Sequence, residues 1–485
     1  MPKPLDISRQ TASKVLSYIV TDFFPGAQLA GTGITPIGFY SDFILTQPID
    51  EKALPLIEER MRGAIKSALP IKTMEMMRKN AAAFLKHHKQ YHLADLTLDQ
   101  PSDMVELVEI GHFHDLMLGE CGATTSEAGS IKLLSISPSG DAVRIQGTCF
   151  PDNQKLKQFL KALEASKKRD HRVIGPEMRL FEELEGKWLW YPKGMFIKNT
   201  LIAAAQEGQP VEWKGDEVVL KKMIHLSEEL PSSYYEVVRR KGKAGWGLFE
   251  AGYYSRDEVY LFYSAGDLRN QLISSLHFIN KTAKIFSFEY HWHLVVPSKK
   301  EPNRTIMEQA LREAGCDYDV TVGEKLCAEM RVADILGREW SVGLLNVNPG
   351  VITRSLYGSV ERFVALLIEK YAGKFPLWLA PEQVRVVPIG DKPAEYAKRV
   401  HDLLKAKGFR AGIAYGNEAL GAKVHAAERE RVPYLVIVGD KEEKNEKVTM
   451  RSCYQEAVES GLKLDDVIAR LSDEIDSEGL KKSGE

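Results

Sequence analysis

The spacing of apolar positions changes twice along the chain, and the changes divide it. From Met1 to about Phe150, short apolar runs such as FILTQ, SIKLLSIS and DAVRIQGTCF predict strands. Among them EKALPLIEERMRGAIKSAL repeats its apolar residues at helical spacing. From Asn153, KLKQFLKALEASKKRDHRVIGPEMRLFEEL predicts one amphipathic helix broken near Gly175–Pro176, a link to the next region. From about Glu183 to Pro381, aromatic strand-like runs (WLWY, EVYLFYS, KIFSFEYHWHLVV, SVGLLNV) mix with helices in no βαβ rhythm. That pattern predicts an antiparallel sheet with flanking helices. The last region alternates strand and helix: QVRVVPI, AEYAKRVHDLLKAKG, RAGIAYG, ALGAKVHAAERER, PYLVIVGD. It predicts a small α/β domain with a largely parallel sheet. The expected fold is α+β and multidomain, with regions 1–152, a linker 153–182, 183–381 and 382–485.

Composition narrows this little. At 485 residues, with 44% hydrophobic and 27% charged side chains, the chain suits about three folded domains. A core of that size needs no metal or disulfide for stability. The five cysteines (Cys121, Cys149, Cys316, Cys327, Cys453) form no CxxC pair, and a reduced, cytoplasmic compartment is expected. No apolar run approaches the ~18 residues that span a bilayer, and the start lacks a signal peptide's apolar segment. The net charge of −2 argues against non-specific coating of nucleic acid. A basic run, SKKRDHR (Ser166 to Arg172), reads as a solvated helix face rather than an RNA contact.

Several blocks carry a resemblance. RIQGTCF is followed by LEASKKRDHRVIG, then WLWYPKGMFIKN, then TRSLYGSVERFVALLIEKYAGKFPLWLAP, then GNEALG, GDKE and KVTMR. In this order they resemble threonyl-tRNA synthetase, a class II aminoacyl-tRNA synthetase. The resemblance implies an editing-like domain, a class II catalytic core and a C-terminal anticodon-binding domain. It includes no counterpart of the family's N-terminal ubiquitin-like domain, so the chain is expected to begin at the editing-like domain.

The family's base-reading Asn, Glu and Arg fall on Asn417, Glu442 and Arg451, and their mutual spacings match. The chemistry suits splayed bases, whose donor and acceptor edges such side chains can satisfy. Each residue also has a structural reading: Asn417 as a helix cap, Glu442 as a turn residue. The motif 3 arginine, which contacts the triphosphate of ATP in the family, falls on Arg362.

Other family residues are missing. The first motif 2 strand best matches Ile285 to Val296; this places the phosphate-gripping arginine on Val295 and makes the following loop and strand a deletion. Arg338, Arg354 or Lys299–Lys300 are the substitutes a working ligase would call on. The family's Zn²⁺ ligands, one Cys and two His, fall near Leu261, on Thr353 and in the gapped region. His291 and His293 share a strand face, although a lone HxH is usually ordinary sheet surface. Of the four editing residues none is kept: Lys14, Tyr18, Met117 and Cys121 stand in their places. His112 and His114 lie close to Cys121 in sequence but not at the family's spacing.

The expectation is a threonyl-tRNA synthetase-like chain that binds tRNA and has lost threonine activation and editing. It would act as a sensor or as a regulatory subunit, in a homodimer or in a heterodimer with a related synthetase. No cofactor is expected, zinc least of all. ATP and Mg²⁺ enter only under the rival reading, an active ATP-dependent threonine–tRNA ligase or related aminoacyl ligase with a rearranged motif 2.

Overall fold

The computed structural model describes residues 4–185, 187–206, 233–242, 245–264, 266–297, 301–416 and 418–478. These form two compact units, Met1–Glu164 with Leu336–Arg338, and Ala165–Ile335 with Glu339–Glu485. The fold is mixed α and β, multidomain and built largely on antiparallel sheets.

The first unit holds β1 (Gln28–Thr35), β2 (Gly38–Ile44), β3 (Lys72–Met77), β4 (Met104–Ile110), β5 (Phe113–Leu116), β6 (Ser130–Ser139) and β7 (Ala142–Phe150). They make a four-stranded sheet in the order β1-β2-β7-β6 and a three-stranded sheet β3-β4-β5. Leu16, Phe39, Phe43, Ile57 and Met61 lie in one apolar cluster. The helix Pro4–Phe23 departs from simple amphipathic design, because it also buries Arg9, Gln10, Thr11, Ser13, Lys14 and Ser17. So much inward polarity must be satisfied locally.

The predicted linker helix is two helices, Asn153–Lys167 and His171–Glu177. The break falls at Lys168–Asp170, because the Asp170 carboxylate caps the second helix by accepting the Arg172 amide. Gly175 and Pro176, expected at the break, lie in the last turn of the second helix.

The second unit opens with a hairpin, β8 (Phe181–Leu184) and β9 (Lys187–Trp190). Its main sheet uses β10 (Ser233–Lys241), β11 (Tyr253–Phe262), β12 (Tyr290–Pro297), β13 (Tyr318–Gly323), β14 (Cys327–Ala333), β15 (Glu339–Asn348) and β16 (Val351–Ser355). The order is β10-β11-β16-β15-β14-β12-β13. Every neighbour is antiparallel except the pair β12–β13. Val259, Leu261, Leu294, Met330 and Leu345 share a core with apolar side chains of the helices Leu268–Ile285 and Val360–Tyr371. The strand expected from Lys284 begins only at Tyr290, since Lys284 and Ile285 still belong to the preceding helix.

The C-terminal sheet comprises β17 (Val384–Pro388), β18 (Ala411–Ile413), β19 (Tyr434–Val438), β20 (Val448–Ser452) and β21 (Val458–Leu462), in the order β18-β17-β19-β20-β21. The first three are parallel; β20 and β21 add antiparallel. Helices Ala394–Ala406 and Leu420–Arg429 cross between the parallel strands.

Candidate functional site

Alternation along the strands gives the seven-stranded sheet a second, polar face. With Val259 and Leu261 turned to the core, Arg256, Glu258 and Tyr260 of β11 point the other way. Opposite Glu258 and Arg256 on β10 stand Glu236 and Val238, and Arg240 lies one step further. The Glu258 carboxylate takes both Arg240 Nη2 contacts, at 2.8 and 2.9 Å, and accepts the Tyr260 hydroxyl at 2.9 Å. Arg256 Nη1 lies 3.7 Å from the same carboxylate, and its Nε donates to the Gly358 carbonyl at 3.1 Å. Two arginines therefore meet on one buried carboxylate.

This arrangement overturns the motif 2 reading. β12 is not followed by a partner strand across a loop; it pairs antiparallel with β14 and, after the helix Arg304–Glu313, parallel with β13. A long strand–loop–strand hairpin is instead made by β10 and β11, with nine paired positions. The sequence carried its signal: a basic run Arg239–Lys241, a glycine-rich turn, then a period-two strand.

Arg362 sits at the start of the helix Val360–Tyr371, capped by the Ser359 hydroxyl. Its Nε donates to the Phe249 carbonyl at 3.0 Å and its guanidinium lies 5.0 Å from the Trp340 ring. Burial pushes its pKa down. The same helix holds the turn Gly247–Glu250 a second time: Glu369 Oε1 lies 2.8 Å from His171 Nδ1, and His171 Nε2 accepts the Leu248 amide at 3.1 Å. Gly247 permits this, with φ +55° and no room for a Cβ, which would lie 2.4 Å from His171 Nε2.

Asp170, His171 and Glu369 are also, among the described residues, the one grouping close enough to hold a metal. Both imidazole nitrogens are already committed, so the donor set does not suit an ion. Nor does the zinc-expected region: Leu261 faces the core, and Thr353 pairs with Tyr260 beside an apolar group of Phe262, Val351 and Tyr234. His291 pairs with Asp319 at 3.1 Å, while His293 is buried with neither ring nitrogen bonded. Of the substitute cations, Arg354 is buried over the Phe278 ring and lowered by burial to about 10. Arg338 is buried as well, and Lys299–Lys300 lie outside the described residues. The basic run proves partly structural, for Arg172 pairs with Asp170 and stacks on Trp246 at 3.9 Å.

In the first unit the four residues at the expected editing positions lie in one neighbourhood. Lys14, fully buried, donates to Asp115 Oδ2 at 2.5 Å, Thr32 Oγ1 at 2.9 Å and the Leu116 carbonyl at 2.8 Å. Met117 follows Leu116, and the Cys121 sulfur lies 3.9 Å from its sulfur. Burial pushes the Cys121 thiol up, away from the reactive thiolate. Tyr18 packs edge-on to His112, which pairs with Asp22 at 3.2 Å. His114 meets Phe84 edge-on and His88 at a tilt. No nucleophile–base pair arises among these side chains.

The C-terminal sheet treats its candidates differently. Glu442 lies in the first turn of the short helix Asp440–Lys444. Its carboxylate accepts the Gly439 amide at 3.1 Å and the Thr449 hydroxyl at 3.1 Å. The turn role therefore exists, and it also fixes the carboxylate at the carboxyl end of β19. Arg451 of β20 pairs with Glu428 at 2.8 Å and stays half-buried. The pair raises its pKa. Asn417 lies outside the described residues.

A polar-faced antiparallel sheet joined to a parallel-stranded C-terminal domain is the build of an aminoacyl-tRNA-synthetase-like chain, and the comparisons agree. Residues 383–474 match the family described as an anticodon binding domain. The chain resembles threonine–tRNA ligase over nearly its whole length. It is 29% identical to that of Clostridium kluyveri, over 97% of this chain and 88% of the relative. To that of Acetivibrio thermocellus it is 27% identical, with the same coverage. Among solved structures, the RNA binding domain of threonyl-tRNA synthetase from Cryptosporidium parvum shares the fold at TM-score 0.56 and 20% identity, covering 63% of this chain and 98% of that one.

Proposed function

We propose that this chain binds a threonine-type tRNA through residues 382–485 and does not efficiently activate threonine or edit. The carrying observation is the contrast in donor sets. Glu442 and Arg451 are held at the surface of a domain matching an anticodon-binding family, whereas the expected editing positions include a fully paired Lys14 and the motif 3 zinc-histidine position falls on Thr353. Residues 1–152 are read as the editing-like domain and 183–381 as a class II core. In that core a tRNA-binding, non-charging chain would serve as a sensor or regulatory subunit. It would act as a homodimer or beside a related synthetase.

One observation favours the second reading, an ATP-dependent ligase. Arg240, Arg256 and Arg362 supply the cations that phosphoryl chemistry requires, although Glu258 neutralises two of them. ATP–pyrophosphate exchange separates the readings. With threonine, exchange is expected to be absent; exchange on the order of 1 s⁻¹ would establish the ligase instead. Filter binding to a tRNA pool tests the RNA half. Arg451→Ala is expected to weaken binding at least several-fold, and parental affinity in that variant would remove Arg451 from the interface.

A further inference from the structure

We propose that Tyr415 is a stacking platform for an unpaired base of an RNA loop, placed at the rim where β18, β17 and β19 end. This rests on the tRNA-binding reading and extends it to a residue that would hold a base by its face rather than read its edge.

A single exposed aromatic is ordinary on a protein surface, so its setting decides. Tyr415 is 71% exposed. It is the residue immediately beyond Ala414, whose amide still donates to the Val386 carbonyl at 2.9 Å. Ile389, the first residue past β17, is 44% exposed. The Ile389 amide is fixed on the Val438 carbonyl at 2.9 Å. Its side chain lies against Gly439, where an added Cβ would stand 3.5 Å from Ile389 Cδ1. Gly439 in turn is bonded to Glu442. The sheet order β18-β17-β19 thus sets Tyr415, Ile389 and Glu442 at three successive strand exits. At about 4.8 Å per strand the row spans roughly 10 Å, room for one stacked base beside one base met at its edge.

The charge around this row is mixed, so the exposed ring face rather than a cationic surface selects the occupant. Lys392 is exposed after β17 with its Nζ 3.9 Å from Asp440; Lys441 and Lys444 are exposed on the short helix Asp440–Lys444 beside Glu443, and Glu418 is exposed close to Gly416. A protein partner would require a larger continuous apolar patch than two side chains. A small apolar island bordered by both lysines and carboxylates suits the face of a single unpaired base, with the lysines within reach of its phosphate.

The test uses the full chain and a threonine-acceptor tRNA transcript, with dissociation constants measured at several salt concentrations. Tyr415→Ala is expected to weaken binding about tenfold without changing the salt slope, and Tyr415→Phe to retain parental affinity. Lys392→Ala is expected to lower the slope by about one. Tyr415→Ala within about twofold of the parent overturns the proposal. Equal loss in the Phe variant also overturns it, because the hydroxyl and not the ring face would then matter. If the parent chain binds tRNA and Tyr415→Ala does too, only the stacking role fails; if the parent binds no tRNA, the underlying reading fails with it.

Discussion

Around Lys14 the polar groups of the first unit turn inward and use one another up, while at the ends of β17, β18 and β19 they remain at the surface. Lys14 spends all three of its hydrogens on Asp115, Thr32 and Leu116, none of them reachable by a substrate. Glu442 is equally fixed, but its two protein partners leave lone pairs facing outward on a half-exposed carboxylate. Inward pairing yields a stable, specific core with no chemistry left over. Outward pairing yields a group that is held in place yet can still exchange contacts with a ligand. The difference lies in the partners supplied to each group more than in the residue type itself.

The largest way to break this comparison is at Lys14. Replacing it with methionine leaves the Asp115 carboxylate buried without its cation, and the expected loss is about 3–5 kcal/mol in urea unfolding. The double variant Lys14→Met with Asp115→Leu should recover most of it, since a well-packed apolar pair avoids both desolvation costs. If Lys14→Met alone costs less than about 1 kcal/mol, the pair is not the keystone of that cluster. A gain of esterase or aminoacyl-tRNA hydrolysis in the parent chain would show that the site is not spent after all.

A second, smaller effect lies in the C-terminal half, where inward pairing also occurs. Arg385 bonds Glu382 and Glu430, and Lys193 lies 2.8 Å from each of the same two carboxylates. Burial opposes the charge on Glu430, yet Arg385 and Lys193 outweigh it and hold its carboxyl down to about 2, against 4.5. The native state therefore binds fewer protons than the unfolded chain between those values. The stability this supplies is complete above pH 4.5 and is lost as pH falls toward 2, on the order of 2–3 kcal/mol in all. Glu430→Gln should flatten that acid limb in pH-dependent unfolding; an unchanged limb would assign the acid sensitivity to other carboxylates.

How much of this was legible in the sequence differs by element. The C-terminal alternation of QVRVVPI, helix and RAGIAYG made the parallel strands readable, because short apolar runs bounded by glycine or proline alternate with stretches of period 3.6. The added antiparallel β20 and β21 carry no comparable signal. Helix Val360–Tyr371 and the place of Arg362 were readable from GSVERF, but its bond to Phe249 was not, since the partner lies over a hundred residues away. The β10–β11 hairpin was missed although its basic run and turn were visible, because the more apolar β12 dominated the pattern. Lys14 illustrates the general difficulty: a lysine inside an amphipathic helix reads as surface, and only Asp115 and Thr32, brought by distant strands, make it core.

The finest cut is Glu442→Gln. The amide oxygen can still accept the Gly439 N–H, so helix capping survives and stability should change by less than about 1 kcal/mol. What changes is the charge, and with it the second acceptor: one oxygen becomes a donor that the Thr449 hydroxyl must meet by turning round, while a base amino group outside meets a poorer acceptor. Binding of the threonine-acceptor transcript should fall by about tenfold, in the range of a lost charge-assisted hydrogen bond. Glu442→Ala, which removes cap and acceptor together, should lose the same affinity plus about 1 kcal/mol of stability. Equal tRNA affinity in Glu442→Gln and the parent, with stability lost only in Glu442→Ala, would leave Glu442 a turn residue and move base reading elsewhere on the rim.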